Sequence, residues 1–202
     1  DRENAIEHLK KAVAGLDLEE AARRTGGRLT DGRLTIRILG KDFAVDSQGA
    51  LYADIHVNPW VAAPFLDYVL FGKGLTPTGQ WLSYRELKKG REGYPLFRRR
   101  CEEALKRVAD AYPDLFDDMV HLFSGKQVAR EFQSDISVVL HPLPKVPVMV
   151  CYWRPDEGMG STINLFFDRT AEENISINSA FSLGVGLAQM FTRLAQRHGV
   201  TV

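Results

Sequence analysis

The sequence predicts an α+β fold, and three observations carry that prediction. Residues 28–54 alternate apolar and polar side chains at period two around an Asp31-Gly32 turn. The segments on either side place apolar residues at helical spacing, and no βαβ unit repeats along the chain. An antiparallel meander and a core strand pair, packed with several amphipathic helices in a single domain over 1–202, satisfies all three.

Ile6, Leu9, Ala12, Val13 and Leu16 recur at helical spacing, predicting a helix that ends near Gly15. Asp17 caps a second short helix, with Glu19 and Glu20 in its first turn and Gly26-Gly27 closing it. Three or four antiparallel strands follow over 28–54, which completes the helical pair and meander of residues 1–57. Asn58-Pro59 opens a helix that runs to Gly72, and Pro64 suits it only within the first turn, where a missing N–H does no harm.

Residues 81–87 fit a short strand or one helical turn equally well. Phe97, Cys101, Leu105, Val108 and Ala109 mark a long amphipathic helix with Arg98, Arg99, Glu102, Glu103 and Arg107 on its solvent side. Pro113 opens the next helix, which reaches Gly125. Ile136–Leu140 and Val146–Tyr152 read as paired core strands with their prolines confined to the 142–145 connector. A strand over 163–167 and a closing helix over 178–198 complete the pattern, although Gly184 and Gly186 lower helical propensity there.

Composition narrows function. Lys and Arg number 26, against 26 Asp and Glu, so the general electrostatic attraction behind non-specific nucleic-acid binding is missing and no nucleic-acid partner is expected. No run approaches the roughly 20 apolar residues that span a bilayer. Asp1–Ile6 lacks the apolar region of a signal peptide, and Cys101 and Cys151 cannot form a disulfide framework, so a cytoplasmic protein with reduced thiols is expected.

Three groups of residues have the types that chemistry needs. Asp54 and His56 share a face of an extended segment and form the start of a metal site, to which His121, His141 or Asp168 would add ligands. Without a third ligand His56 is an ordinary loop histidine, and His121 is a partly buried side chain on a helix. Trp60, Tyr68, Trp81, Tyr84, Tyr94, Phe97 and Trp153 offer flat faces with polar tips, suited to a planar ligand or to the core. Asp156 and Glu157 follow Arg154-Pro155 at the end of a strand, where a loop either binds a cation or makes a solvated turn. No nucleophile elbow, phosphate loop or dinucleotide fingerprint is present.

Gly79-Gln80-Trp81-Leu82-Ser83-Tyr84-Arg85-Glu86-Leu87 with Tyr94 and Phe97 resembles a block of the uncharacterised family called domain of unknown function 3786. Pro144-Lys145-Val146-Pro147-Val148, Tyr152-Trp153 with Asp156-Glu157, and Leu165–Ala171 match its later blocks in order, over roughly residues 58–198. The resemblance implies a setting in anaerobic metabolism and, in some members, an added cysteine-rich iron–sulfur segment like that of corrinoid-linked methyl-transfer proteins. With two cysteines this chain cannot supply the four thiolates of a cluster, so an iron–sulfur or corrinoid cofactor would reside on a protein partner.

Together these readings predict a non-enzymatic accessory or binding protein for a cofactor or protein partner. Its ligand-binding residues would be Trp81, Tyr84, Arg85, Trp153, Asp156 and Glu157, and the blocks around Trp81 and Trp153 should approach each other. The competing reading is a metal-assisted hydrolase or transferase built on Asp54 and His56.

Overall fold

The computed structural model of the chain describes residues 1–54 and 58–202. Helix α1 (Arg2–Val13) is capped by Asp1, and α2 (Leu18–Thr25) by Asp17, whose carboxylate accepts from the Glu19 and Glu20 N–H groups. Strands β1 (Arg28–Thr30), β2 (Arg33–Ile38), β3 (Lys41–Asp46) and β4 (Leu51–Ala53) form an antiparallel sheet in chain order. Alternation sets its register: Leu34 and Ile36 are buried opposite Val45 and Phe43, while Arg33 and Arg37 face solvent opposite Asp46 and Asp42.

The β2–β3 turn breaks a local rule. Its central residues Leu39 and Gly40 both have positive φ, 53° and 79°, in a position that favours Asn-Gly. A leucine there costs on the order of 1–2 kcal/mol. Leu39 is nonetheless buried, and its N–H donates to the His141 carbonyl at 2.9 Å, tying this sheet to the second one.

Helix α3 (Pro59–Phe71) starts on the Asn58 cap, so Pro64 lies beyond the first turn and is a flaw inside the helix. Its missing N–H withdraws the i+4 donor from the Trp60 carbonyl. Arg24 satisfies carbonyls at the other end, donating to Val69 at 2.9 Å and Gly72 at 2.7 Å. Residues 81–87 hold both of the open alternatives in succession: β5 (Trp81–Ser83), then a 3-10 turn over Tyr84–Glu86.

Helix α4 (Tyr94–Phe97), a π turn over Arg98–Glu102 and α5 (Glu103–Ala111) then run without a break. Helix α6 (Leu115–His121) and strands β6 (Lys126–Gln127), β7 (Ile136–Leu143), β8 (Val146–Trp153) and β9 (Thr162–Asp168) come next. Helices α7 (Ala171–Asn174) and α8 (Ile177–Arg197) complete the order. The second sheet is antiparallel in the order β5-β9-β8-β7-β6. Pro142 is not confined to the connector as expected; it lies inside β7, where the pairing with β8 shifts register between Leu140 and Leu143. A bulge is the place where a ladder tolerates proline.

Helix α8 is buried from Leu183 through Ala188 and packs on α3, the π turn and α5. Its glycines permit that approach: a Cβ at Gly184 would stand 2.4 Å from the Phe97 ring, and one at Gly186 3.1 Å from the Trp60 Cβ. The propensity they forgo is offset by contact with two elements. One large apolar core spans the meander, the helices and the inner face of the second sheet, and a smaller cluster of Met149, Cys151 and Phe166 lies on that sheet's outer face.

Candidate functional site at the open edge of β9

Strand β9 is paired with β8 along its length, but β5 covers only Phe166–Asp168 on its other side. At Thr162–Leu165 a side chain takes the place of the missing strand. The Leu165 N–H donates to Glu102 Oε2 at 2.8 Å, and Asn164 Nδ2 reaches the same oxygen at 3.3 Å. The carboxyl is 2% exposed, and its second oxygen, Oε1, is buried without a hydrogen-bond partner. Burial raises the Glu102 pKa; hydrogen bonding from Leu165, Asn164 and the Tyr94 hydroxyl, with the charge of Arg98, offsets only part of that effect.

The π turn explains how a glutamate comes to be here. One added residue rotates the succeeding helix by about 100° relative to an uninterrupted α-helix. Phe97 and Cys101 pack on α8, and Glu102 reaches the strand edge instead of solvent. This corrects the expectation that Glu102 shares the solvent face with Arg98, Arg99, Glu103 and Arg107.

A cleft of about 430 Å³ opens over Glu102. Tyr94, Arg98, Lys106 and Arg107 line its helical wall, and Ser161, Thr162 and Asn164 its strand wall. Arg98 lies 3.4 Å from Glu103, the one carboxylate lining the cleft besides Glu102. The far end is held by Asp110, which accepts from Ser161 Oγ at 2.6 Å and from the Tyr152 hydroxyl at 3.1 Å. Burial, the Glu102 charge and hydrogen bonding to that carboxyl raise the Tyr94 pKa, so this phenol stays protonated with its O–H directed toward Glu102. The arrangement offers a buried acceptor at the bottom and cations at the mouth.

A second cleft, of about 570 Å³, meets the first at Thr162 and Asn164 on the outer face of the sheet. Trp153 and Asp156 line it, together with Arg154 and Asp135. Two of the expected ligand-binding residues therefore share one cleft.

The profile of the family described as Domain of unknown function (DUF3786) matches residues 17–190. The chain belongs to this family. The family span begins well before residue 58, so it takes in α2 and the meander as well as the helices and the second sheet. No curated protein and no solved structure matches the chain.

Within the family span the other expected residues scatter. Tyr84 is 3% exposed and its ring stacks on Phe97 at 4.1 Å, inside the main core. Arg85 is exposed, its guanidinium 5.6 Å from the Tyr94 ring centre, and Glu157 is exposed and lines neither cleft. Trp81 and Trp153 both pack on the Met149, Cys151 and Phe166 cluster, but Trp81 pairs with Asp168 and Trp153 with Thr162. Six residues of strand separate those positions, about 20 Å. The two tryptophans share a face and lie at its opposite ends, contrary to the expected approach.

The metal reading gains no further ligand. Asp54 is exposed, and His56 lies outside the described residues. His121 is exposed at the end of α6 instead of partly buried, and His141 is exposed in β7. Asp168 is wholly buried and engaged: it accepts from the Thr78, Gly79 and Thr170 N–H groups and from the Thr170 hydroxyl. Among the described residues no group of three His, Cys, Asp or Glu side chains is placed to hold a metal ion.

Glu102, the central residue of this site, was not legible as such. The spacing of Phe97, Cys101 and Leu105 is that of an ordinary amphipathic α-helix, so the sequence carries no mark of the π turn.

Proposed function

We propose that this domain is a binding protein that holds a small polar acid at the open edge of β9. One observation supports this reading above the others: a 2%-exposed glutamate keeps an unpartnered oxygen beneath a cleft. A buried acceptor without a donor costs about 1–3 kcal/mol, a cost that a ligand N–H or O–H would remove. Lys106 and Arg107, which pair with no carboxylate among the described residues, favour an anionic group on the same ligand, while Arg98 is shared with Glu103. Hydroxy- and amino-carboxylates have that chemistry. Trp153 and Asp156, in the adjoining cleft, would contact a ligand that extends past Asn164.

In this reading the protein carries no cluster of its own. Cys101 and Cys151 are fully buried, and burial pushes the Cys101 thiol well above its ordinary range. Iron–sulfur or corrinoid chemistry would be contributed by a partner.

The test is titration calorimetry of the full chain against a panel of small hydroxy- and amino-carboxylates, repeated on Glu102→Gln. Gln can still accept from Leu165 but places an N–H₂ where Oε1 lies. Saturable one-to-one binding of a panel member, weakened about tenfold or more in Glu102→Gln, is the expected result. Equal affinity in the two proteins, or no binding across the panel, would overturn the reading.

A further inference from the structure

A different cleft, of about 460 Å³, lies between the meander and α8. Ile38, Leu39 and Phe43 form one wall, and Phe123, Met190 and Leu194 the other. Its rim carries Lys41 from β3 and Arg193 and Arg197 from α8, and no carboxylate lines it. None of these three cations is within ion-pair distance of a carboxylate among the described residues.

Charge and shape are combined across this cleft. The helix dipole accounts for a cation at Arg197, in the last turn of α8, but not for Lys41 across the opening on a strand. The apolar wall includes Leu39, the leucine held at φ 53° where Asn or Gly is at ease. An asparagine in that turn would relieve the strain and interrupt the apolar wall.

We propose that this cleft binds a free amphiphilic carboxylate, with a single acyl chain against the apolar walls and the carboxylate among Lys41, Arg193 and Arg197. The volume lies within the range of small-molecule pockets. Apolar lining and an all-cationic rim complement an anionic head joined to an aliphatic tail, and they reject a cationic head. This inference is independent of the Glu102 cleft, with which it shares no lining residue.

The experiment is calorimetry of the full chain with sodium dodecanoate below its micelle concentration, with dodecanol and dodecyltrimethylammonium as comparators. Expected are one-to-one saturable dodecanoate binding, dodecanol at least about tenfold weaker, and no competition from the ammonium. The double variant Arg193→Gln/Arg197→Gln replaces exposed side chains and should lose about tenfold or more in dodecanoate affinity with dodecanol unchanged. Met190→Trp should fill the cleft and abolish both, and circular dichroism melting would verify that each variant is folded. Absent dodecanoate binding, affinity indifferent to head-group charge or to the double variant, or sedimentation with phosphatidylglycerol vesicles in place of monomer binding would each overturn the proposal.

Discussion

The two buried carboxyls along β9 behave in opposite ways. Asp168, beside the part that β5 covers, is wholly buried with both oxygens hydrogen-bonded. Burial alone would raise its pKa, but bonds from the Thr170 hydroxyl and from the Thr170, Thr78 and Gly79 N–H groups together lower it. Glu102, beside the uncovered part, is 2% exposed with one oxygen used and one free, and its pKa is raised. Burial of an acid therefore does not distinguish scaffold from site. The unused hydrogen-bonding capacity does, and it points to Glu102.

The largest expected effect falls on the saturated carboxyl. Asp168→Ala strips the acceptors from three N–H groups and should cost about 3 kcal/mol in urea-unfolding stability. Asp168→Asn, which turns one acceptor into a donor facing N–H groups, should cost about 1–2 kcal/mol. Glu102→Gln should do the reverse at neutral pH, leaving stability unchanged or raised by about 1 kcal/mol, because the amide retains the Leu165 bond without a buried charge. A loss of about 2 kcal/mol or more in Glu102→Gln would erase the contrast.

Acid should separate the pair. The folded pKa of Asp168 is depressed, so its contribution is present above the ordinary aspartate range and is lost as pH falls through the folded value. The folded pKa of Glu102 is raised, so its contribution is greatest below the ordinary glutamate range and is lost as pH rises through the folded value. The stability of wild type relative to Glu102→Gln should fall as pH rises across that window. Relative to Asp168→Asn it should rise across the lower window. The smallest effect belongs to Asp156→Asn: the residue is exposed, so stability should change by less than about 0.5 kcal/mol, and only ligand affinity would register it.

The legibility of each part in the sequence depends on how that part is encoded. The meander is legible because one of its faces is wet: Arg33, Arg37 and Asp42 alternate with Leu34, Ile36 and Phe43, and Asp31-Gly32 turns the chain. The caps at Asp17 and Asn58 are legible because a side chain bonds N–H groups two or three residues on. Strand β8 is buried from Val146 to Tyr152 on both faces, so its pattern does not say which side Met149 and Cys151 occupy. The site is least legible, because Glu102 meets Leu165 across 63 residues through a π turn that composition does not mark. Tyr84 is illegible for a related reason: an aromatic beside a loop looks wholly exposed, and only the structure shows its ring stacked on Phe97 in the core.

The most direct measurement is a pH titration of the side-chain carboxyl carbons by NMR on glutamate-labelled protein, with and without the small acid that binds best in calorimetry. One resonance, absent in Glu102→Gln, should titrate above the ordinary glutamate range and move when the acid is added. A Glu102 resonance that titrates within the ordinary glutamate range and stays in place on adding the acid would contradict the assignment of this buried carboxyl as the ligand's anchor.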